Sequence, residues 1–301
     1  MELAEFLTHY RTVQLPSGPA AYADIGEGPV ALFVHGLATN GAIWRHVVDE
    51  VRDRRRCIAV DLPLHGRTPG RPPSDTPLAD ATDFLEQLCA NLGLFEIDLV
   101  AFDTGGAVAQ VFAARHPERL QSLTLCNCDT HTNLPPAAFA PTVELARHGE
   151  ITALAPALVA DLDAARSVAF EPGFEDVTVL SDDEVRDYLL PVLGTPERSR
   201  AFEAVLSSLD AAELVAVEPE LARLRVPTAI VWGTGDVFFG VEWAHWLDAT
   251  VPGSTGVVEL PDAKLFFVLE RAGELAGVLR DHWDQGSPAA GAGLAHATPG
   301  P

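Results

Sequence analysis

The sequence predicts an α/β protein: a doubly wound, mostly parallel sheet carrying a helical cap. Three observations lead there. Short apolar runs recur at residues 29–36, 56–62, 96–103, 122–127, 227–233 and 256–261, and amphipathic segments such as 78–92 and 107–116 lie between them. Near-continuous apolar strands alternating with helices are what a parallel sheet covered on both faces requires. The rhythm then stops between about Asn133 and Leu224, where the chain is rich in Ala, Leu and Glu and is punctuated by Pro135, Pro136, Pro172, Pro191 and Pro196. That stretch reads as a helical insertion over the strand ends. The expected organisation is a first core part at 1–132, a cap at 133–224, a second core part at 225–284 and a disordered Gly/Ala/Pro-rich tail at 285–301.

Composition narrows the function. The chain has 301 residues, 20 Lys and Arg against 43 Asp and Glu, and a formal charge of −23. Such an acidic balance argues against nucleic acid and anionic membranes, which are held by clustered cations. The run from Arg52 to Arg56, with Asp53 inside it, reads as a solvated helix end. Four cysteines (Cys57, Cys89, Cys126, Cys128) form no disulfide framework, and the Cys126/Cys128 pair reads as small apolar residues in a buried strand. The N-terminal segment is acidic and lacks the apolar core of a signal peptide, and no run is long enough to span a bilayer, so a cytoplasmic protein is expected.

In open parallel sheets ligands bind beyond the carboxyl ends of the strands. Three strand ends carry the chemistry. The first reads His35-Gly36-Leu37, the second Asp61-Leu62-Pro63-Leu64-His65-Gly66-Arg67, and the third Ala101-Phe102-Asp103-Thr104-Gly105-Gly106, running into a helix. The third is a small-x-nucleophile-x-small corner, where side chains would collide in the tight turn. Amides of Thr104 and Leu37 are placed to form an oxyanion hole. Asp103 could instead serve only as the helix N-cap.

Taken in order, the strand-HG, DLPxHGRT, x-D-x-G-G and late strand-GTGD motifs resemble the α/β-hydrolase fold from about Val13 to Trp283. An aspartate at the corner is similar to the haloalkane dehalogenase and epoxide hydrolase branch. There the carboxylate attacks carbon, and a histidine-activated water then cleaves the ester. The resemblance implies Asp103 as nucleophile, Asp236 or Asp129 as the supporting acid, and His35, Leu37 and Thr104 around the oxyanion or substrate site. It also implies Tyr188 as a candidate ring-opening tyrosine. No cofactor and no metal are expected.

The pattern breaks where the histidine belongs. The chain reads Leu260-Pro261-Asp262-Ala263-Lys264-Leu265-Phe266, with Leu265 at the histidine's place. The dehalogenases' halide-binding Asn and Trp are replaced by Leu37 and Thr104, which argues against dehalogenation. Removing a general base forfeits about 10²–10⁴-fold in rate. His131, two residues past Asp129, is the candidate replacement, against the alternative of a loop histidine at a cap hinge. Lys264, the only lysine, is expected to form a salt bridge with Asp236 or Asp262. The expected function is hydrolysis of a small hydrophobic ester, epoxide or related electrophile. Non-hydrolytic acid/base catalysis (isomerase, lyase or cyclase) and simple binding of a small hydrophobic molecule are the alternatives.

Overall fold

A computed structural model describes residues 1–70 and 76–286. Eight strands form one sheet: β1 (Tyr10–Leu15), β2 (Gly18–Ile25), β3 (Val30–Val34), β4 (Arg56–Val60), β5 (Ile97–Asp103), β6 (Leu120–Cys128), β7 (Thr228–Gly233) and β8 (Ser254–Leu260). Their order is β1-β2-β4-β3-β5-β6-β7-β8. From β4 through β8 neighbours run parallel, while β1 pairs β2 and β2 pairs β4 antiparallel. The six apolar runs all become strands. The antiparallel pair β1 and β2 has no counterpart among those runs, because Tyr10–Leu15 mixes polar and apolar residues at the sheet edge and is buried only at Leu15.

Every residue of β5 is buried, which is why it reads as a continuous apolar run. A fully buried Val, Leu, Ile or Phe contributes about 1.5–3 kcal/mol, and this central strand carries several. The helix Thr104–Arg115 packs behind it, with Gly105 through Ala113 buried. Strand order reverses at β3, which has β4 on one side and β5 on the other. The loops leaving β3 and β5 diverge there and open a crevice above the sheet.

Between β6 and β7 the chain runs through helices and turns only, including Ala140–Arg147, Glu150–Ala160, Asp182–Leu193 and Pro196–Ser207. Asp182–Leu193 starts with a capping box in which Ser181 and Glu184 satisfy each other's orphan donors. A buried ion pair between Arg45 and Glu184 joins these helices to the core, and Arg45 also donates to the Tyr188 hydroxyl at 3.3 Å. A second tie comes from the far end of the chain. The Phe266 amide donates to Gly173 O at 2.9 Å, the Phe266 ring stacks on Phe174 at 4.4 Å, and the Glu270 carboxylate accepts the amides of Glu175 and Asp176.

The basic run is not simply solvated. Arg55 pairs with buried Asp98 at 2.8 Å and lies over Trp283, and Arg56 pairs with Asp24. All four cysteines are buried and free. No helix among the described residues is long and apolar enough to cross a membrane. The last helix, Ala272–Gly286, continues two residues beyond the expected start of the tail, and the remainder of that tail lies outside the described residues.

Candidate active site

The site grows out of one strained corner. Asp103 ends β5 and begins the following helix with φ 54° and ψ −139°, a conformation that costs a non-glycine residue about 1–3 kcal/mol. The strain aims its carboxylate at the crevice. The Leu37 amide donates to Asp103 Oδ2 at 3.0 Å, and the Thr104 amide also bonds the carboxylate. The cradle is tight: a Cβ on Gly36 would lie 2.0 Å from Oδ2, and one on Gly106 would lie 2.3 Å from Cys128 Cβ. Both expected oxyanion amides therefore meet at Asp103, which stands at the N-cap position of the helix but makes no side-chain capping hydrogen bond there.

Asp129 sits beside it at the end of β6. The Thr104 hydroxyl donates to Asp129 Oδ2 at 2.8 Å, and Gln110 Nε2 donates to the Asp129 carbonyl at the same distance. Asp129 Oδ1 is buried and has no hydrogen-bond partner among the described residues. Asp236 completes the cluster. It accepts from Asn127 Nδ2 at 2.7 Å and from the Phe238 amide at 2.8 Å.

Burial drives the electrostatics. Desolvation raises the Asp103 carboxyl above the carboxylate range, against the opposing pull of the Thr104 and Leu37 amides. It raises Asp129 further, and the neighbouring Asp103 charge adds to the rise, with the Thr104 hydroxyl in partial opposition. Asp236 is pushed up to about 6 by burial, moderated by the Phe238 amide and Asn127. Two amides favour the anion at Asp103 and one hydroxyl favours it at Asp129. Of the two neighbouring carboxyls, Asp103 is therefore the one whose surroundings better support the charged form.

Asp103, Thr104 and Asp129 open into a cavity of about 340 Å³ whose other walls are mainly apolar, among them Leu134, Phe139, Leu189, Phe202 and Phe238. Leu265 lines it too, so the residue at the expected histidine position faces the same space as the carboxylates. Leu37, Thr104, Asp103 and Asp129 are brought together at this cavity, with Asp236 behind them.

Three expected residues are placed elsewhere. His131, at φ 49°, bonds Glu218 at 3.1 Å and stacks on Trp246 at 4.6 Å, and it does not line the cavity. The left-handed residue turns the chain away, so closeness to Asp129 in sequence does not become closeness in space. His35 is fully buried. Its Nδ1 donates to Gly36 O at 2.7 Å and its Nε2 accepts the Leu62 amide at 2.9 Å, which ties two loops together and leaves nothing for substrate. Tyr188 is buried against Arg45 and Phe170 and stands outside the cavity wall. Lys264 makes no ion pair within 4.0 Å among the described residues, and its charge only modestly lowers the Asp236 pKa. The sequence reading missed Asn127, whose side chain holds Asp236 and both polar backbone groups of Gly233. An amide side chain near the carboxyl end of a buried strand was the available signal.

A family model of the alpha/beta hydrolase fold matches residues 29–269. The chain belongs to the alpha/beta hydrolase fold family. Among curated relatives, a pimeloyl-[acyl-carrier protein] methyl ester esterase of Chromobacterium violaceum is 26% identical over 261 residues, covering 86% of this chain and 95% of that one. A haloalkane dehalogenase of Mesorhizobium japonicum is 38% identical over 104 residues, covering 34% of this chain and 33% of that one. Among solved structures, a haloalkane dehalogenase from Bradyrhizobium elkani superposes with a TM-score of 0.77 at 22% identity, covering 92% and 99% of the two chains. An α/β hydrolase fold protein from Burkholderia ambifaria reaches 0.79 at 20% identity, covering 93% and 98%. At 20–22% identity these superpositions show a shared fold. Among the described residues, no group of three or more His, Cys, Asp or Glu side chains could hold a metal ion.

Proposed function

We propose that this α/β hydrolase opens a small apolar electrophile, such as an epoxide, through a covalent ester on Asp103, and that Asp129 does the proton work of the absent histidine. The observation that carries the reading is the orientation of Asp103. Its Oδ2 accepts the Leu37 amide, which supports a reading in which Oδ1 makes the attack.

The steps balance with these two groups alone. Asp103 Oδ1 bonds to the substrate carbon, the carbon–oxygen bond breaks, and its electron pair goes to the departing oxygen. Protonated Asp129 gives that oxygen its proton and is left ionised. Water then attacks the ester carbonyl at Asp103 and gives one proton to Asp129. As the carbonyl re-forms, the alkyl oxygen leaves with its electron pair and takes water's second proton from the new carboxyl. This restores the Asp103 carboxylate and protonated Asp129. The Leu37 and Thr104 amides stabilise the carbonyl oxygen as it gains charge. Forming the neutral ester also removes the like charge beside Asp129, which eases the ionisation this step needs.

Intact-protein mass spectrometry with styrene oxide tests the reading. The expected result is a mass increase of one substrate on the wild type, absent in Asp103→Asn, followed by slow loss that leaves heavy oxygen in Asp103 when run in heavy-oxygen water. Lack of any adduct or label, with substrate nevertheless consumed, would overturn the covalent step. It would favour the second reading, which the raised pKa of both carboxyls also supports: non-hydrolytic acid/base catalysis by Asp103 and Asp129.

A further inference from the structure

The cavity that holds Asp103 opens through an apolar rim. Eight large apolar side chains are exposed among the described residues, and three of them, Leu154, Val168 and Val237, also line this cavity. At 45%, 68% and 54% exposure they stand where the cavity meets solvent. Single exposed apolar residues are ordinary on a protein surface, whereas a group of them around one opening marks a binding groove.

Exposed Ala138, Ala169 and Pro172 complete the ring, so every exposed residue of the described cavity wall is apolar. The rim draws on both layers. Leu154 comes from the cap helix Glu150–Ala160, Val168 and Ala169 from the turn Arg166–Phe170, and Val237 from the loop after β7. Two of its sides are pinned to the core. Next to Pro172, Gly173 O accepts the Phe266 amide at 2.9 Å, and next to Val237, Asp236 accepts from Asn127 and from the Phe238 amide. Charged residues make up 21% of the chain, yet the only ones in the described wall are Asp103 and Asp129. No cation is there to compensate a buried anion, whereas a neutral methylene chain meets apolar contacts from the rim inward.

We propose that this rim is a subsite for a neutral alkyl chain, so that the substrate is a long-chain electrophile. Its small reactive end lies at Asp103 and its tail leaves the cavity across Leu154, Val168 and Val237. At about 340 Å³ the cavity is near the lower end of ligand pockets, so an extended chain that fills it still reaches the rim. The placing of the reactive end rests on the function proposed above. The chain subsite is tested by binding alone, so its failure and that of the Asp103 chemistry are separable.

Alkan-1-ols of six, eight and ten carbons are the probes, and they form no ester. Calorimetry should show affinity rising about fourfold for each added methylene throughout the series, the value of one buried CH₂ group. Leu154→Asp, Val168→Asp and Val237→Asp should each weaken decan-1-ol by about fourfold or more and leave hexan-1-ol unchanged. These positions are exposed, so the variants should fold as the wild type does, which thermal melts verify. In the wild type, the methyl resonances of Leu154, Val168 and Val237 should shift with decan-1-ol, a readout that needs no variant. An affinity that stops rising along the series, no binding of decan-1-ol, unchanged decan-1-ol binding in the folded variants, equal loss of both alcohols in them, or unmoved methyl signals would overturn the proposal.

Discussion

Gly36 and Asp103 are packed so closely that any side chain on the glycine would occupy the carboxylate: an added Cβ would lie 2.0 Å from Oδ2. The loop after β3 is thus a mould for the Asp103 carboxylate as well as a donor of the Leu37 amide. Gly36→Ala should push the carboxylate out of its cradle and lower turnover by about 10²–10³-fold, the usual cost of losing an oxyanion donor. Folding should weaken by only about 1–3 kcal/mol, as in other overpacked cores. Steady-state rates and denaturant melts on the same sample separate the two effects.

Leu265 faces the cavity that holds Asp103 and Asp129. Leu265→His should return a base to the site and speed breakdown of the Asp103 ester by about 10²–10⁴-fold. The decay of the adduct, followed by mass spectrometry, checks it. An unchanged lifetime would mean that the imidazole does not reach the ester.

Asp129 should make stability fall with rising pH. Its folded pKa is raised, so between its unfolded value of about 3.9 and its folded value the native state binds more protons than the unfolded one. The slope of unfolding free energy against pH is then negative. The contribution is fully present below about pH 4, where both states are protonated, and is progressively lost as pH rises through the folded pKa. Asp129→Asn should flatten this slope relative to wild type in urea melts taken from acid to mildly alkaline pH.

The Arg45–Glu184 pair is buried on both sides. Glu184→Gln leaves the guanidinium uncompensated and should cost about 3–5 kcal/mol, whereas the double change Arg45→Met with Glu184→Leu should cost much less. Denaturant midpoints of the two variants against wild type check the contrast.

His131→Ala should leave turnover unchanged. Its pairing with half-exposed Glu218 is worth at most about 1 kcal/mol, so stability should move little. A large fall in rate with folding intact would contradict the placement of this ring.

Much of the core was legible because parallel strands buried on both faces announce themselves as apolar runs, as β3 through β7 do; β8, mostly exposed, is apolar enough to be read as well. The edge strand β1 was not, since a mostly exposed strand dilutes that signal, and β2 was not, because its buried stretch is rich in alanine with Asp24 in it. At the site, Asp103 was readable from the local demand for glycines around a sharp corner. Asp129 and Asp236 were readable as acids that follow strands. What escaped depended on contacts between distant segments: Thr104 bridging to Asp129, Asn127 clamping Asp236, and Tyr188 turned toward Arg45. His131 and His35 show the converse. Each lies next to site residues along the chain, yet one ring is drawn to Trp246 and the other is consumed in joining two loops.

The place where the cap joins the sheet has a consequence for how such an enzyme changes over generations. The chain leaves β6 and returns in β7, and these strands are direct neighbours, with Cys126 opposite Val231. Whatever lies between them has its two ends fixed side by side by the ladder. Lengthening such an insertion is inexpensive, about 0.6 kcal/mol for each doubling. The seam therefore lets the roof be rewritten, shortened or replaced while the floor keeps its register, subject to fastenings such as Gly173–Phe266 and Arg45–Glu184. Choice of substrate and capacity for chemistry can then be inherited separately.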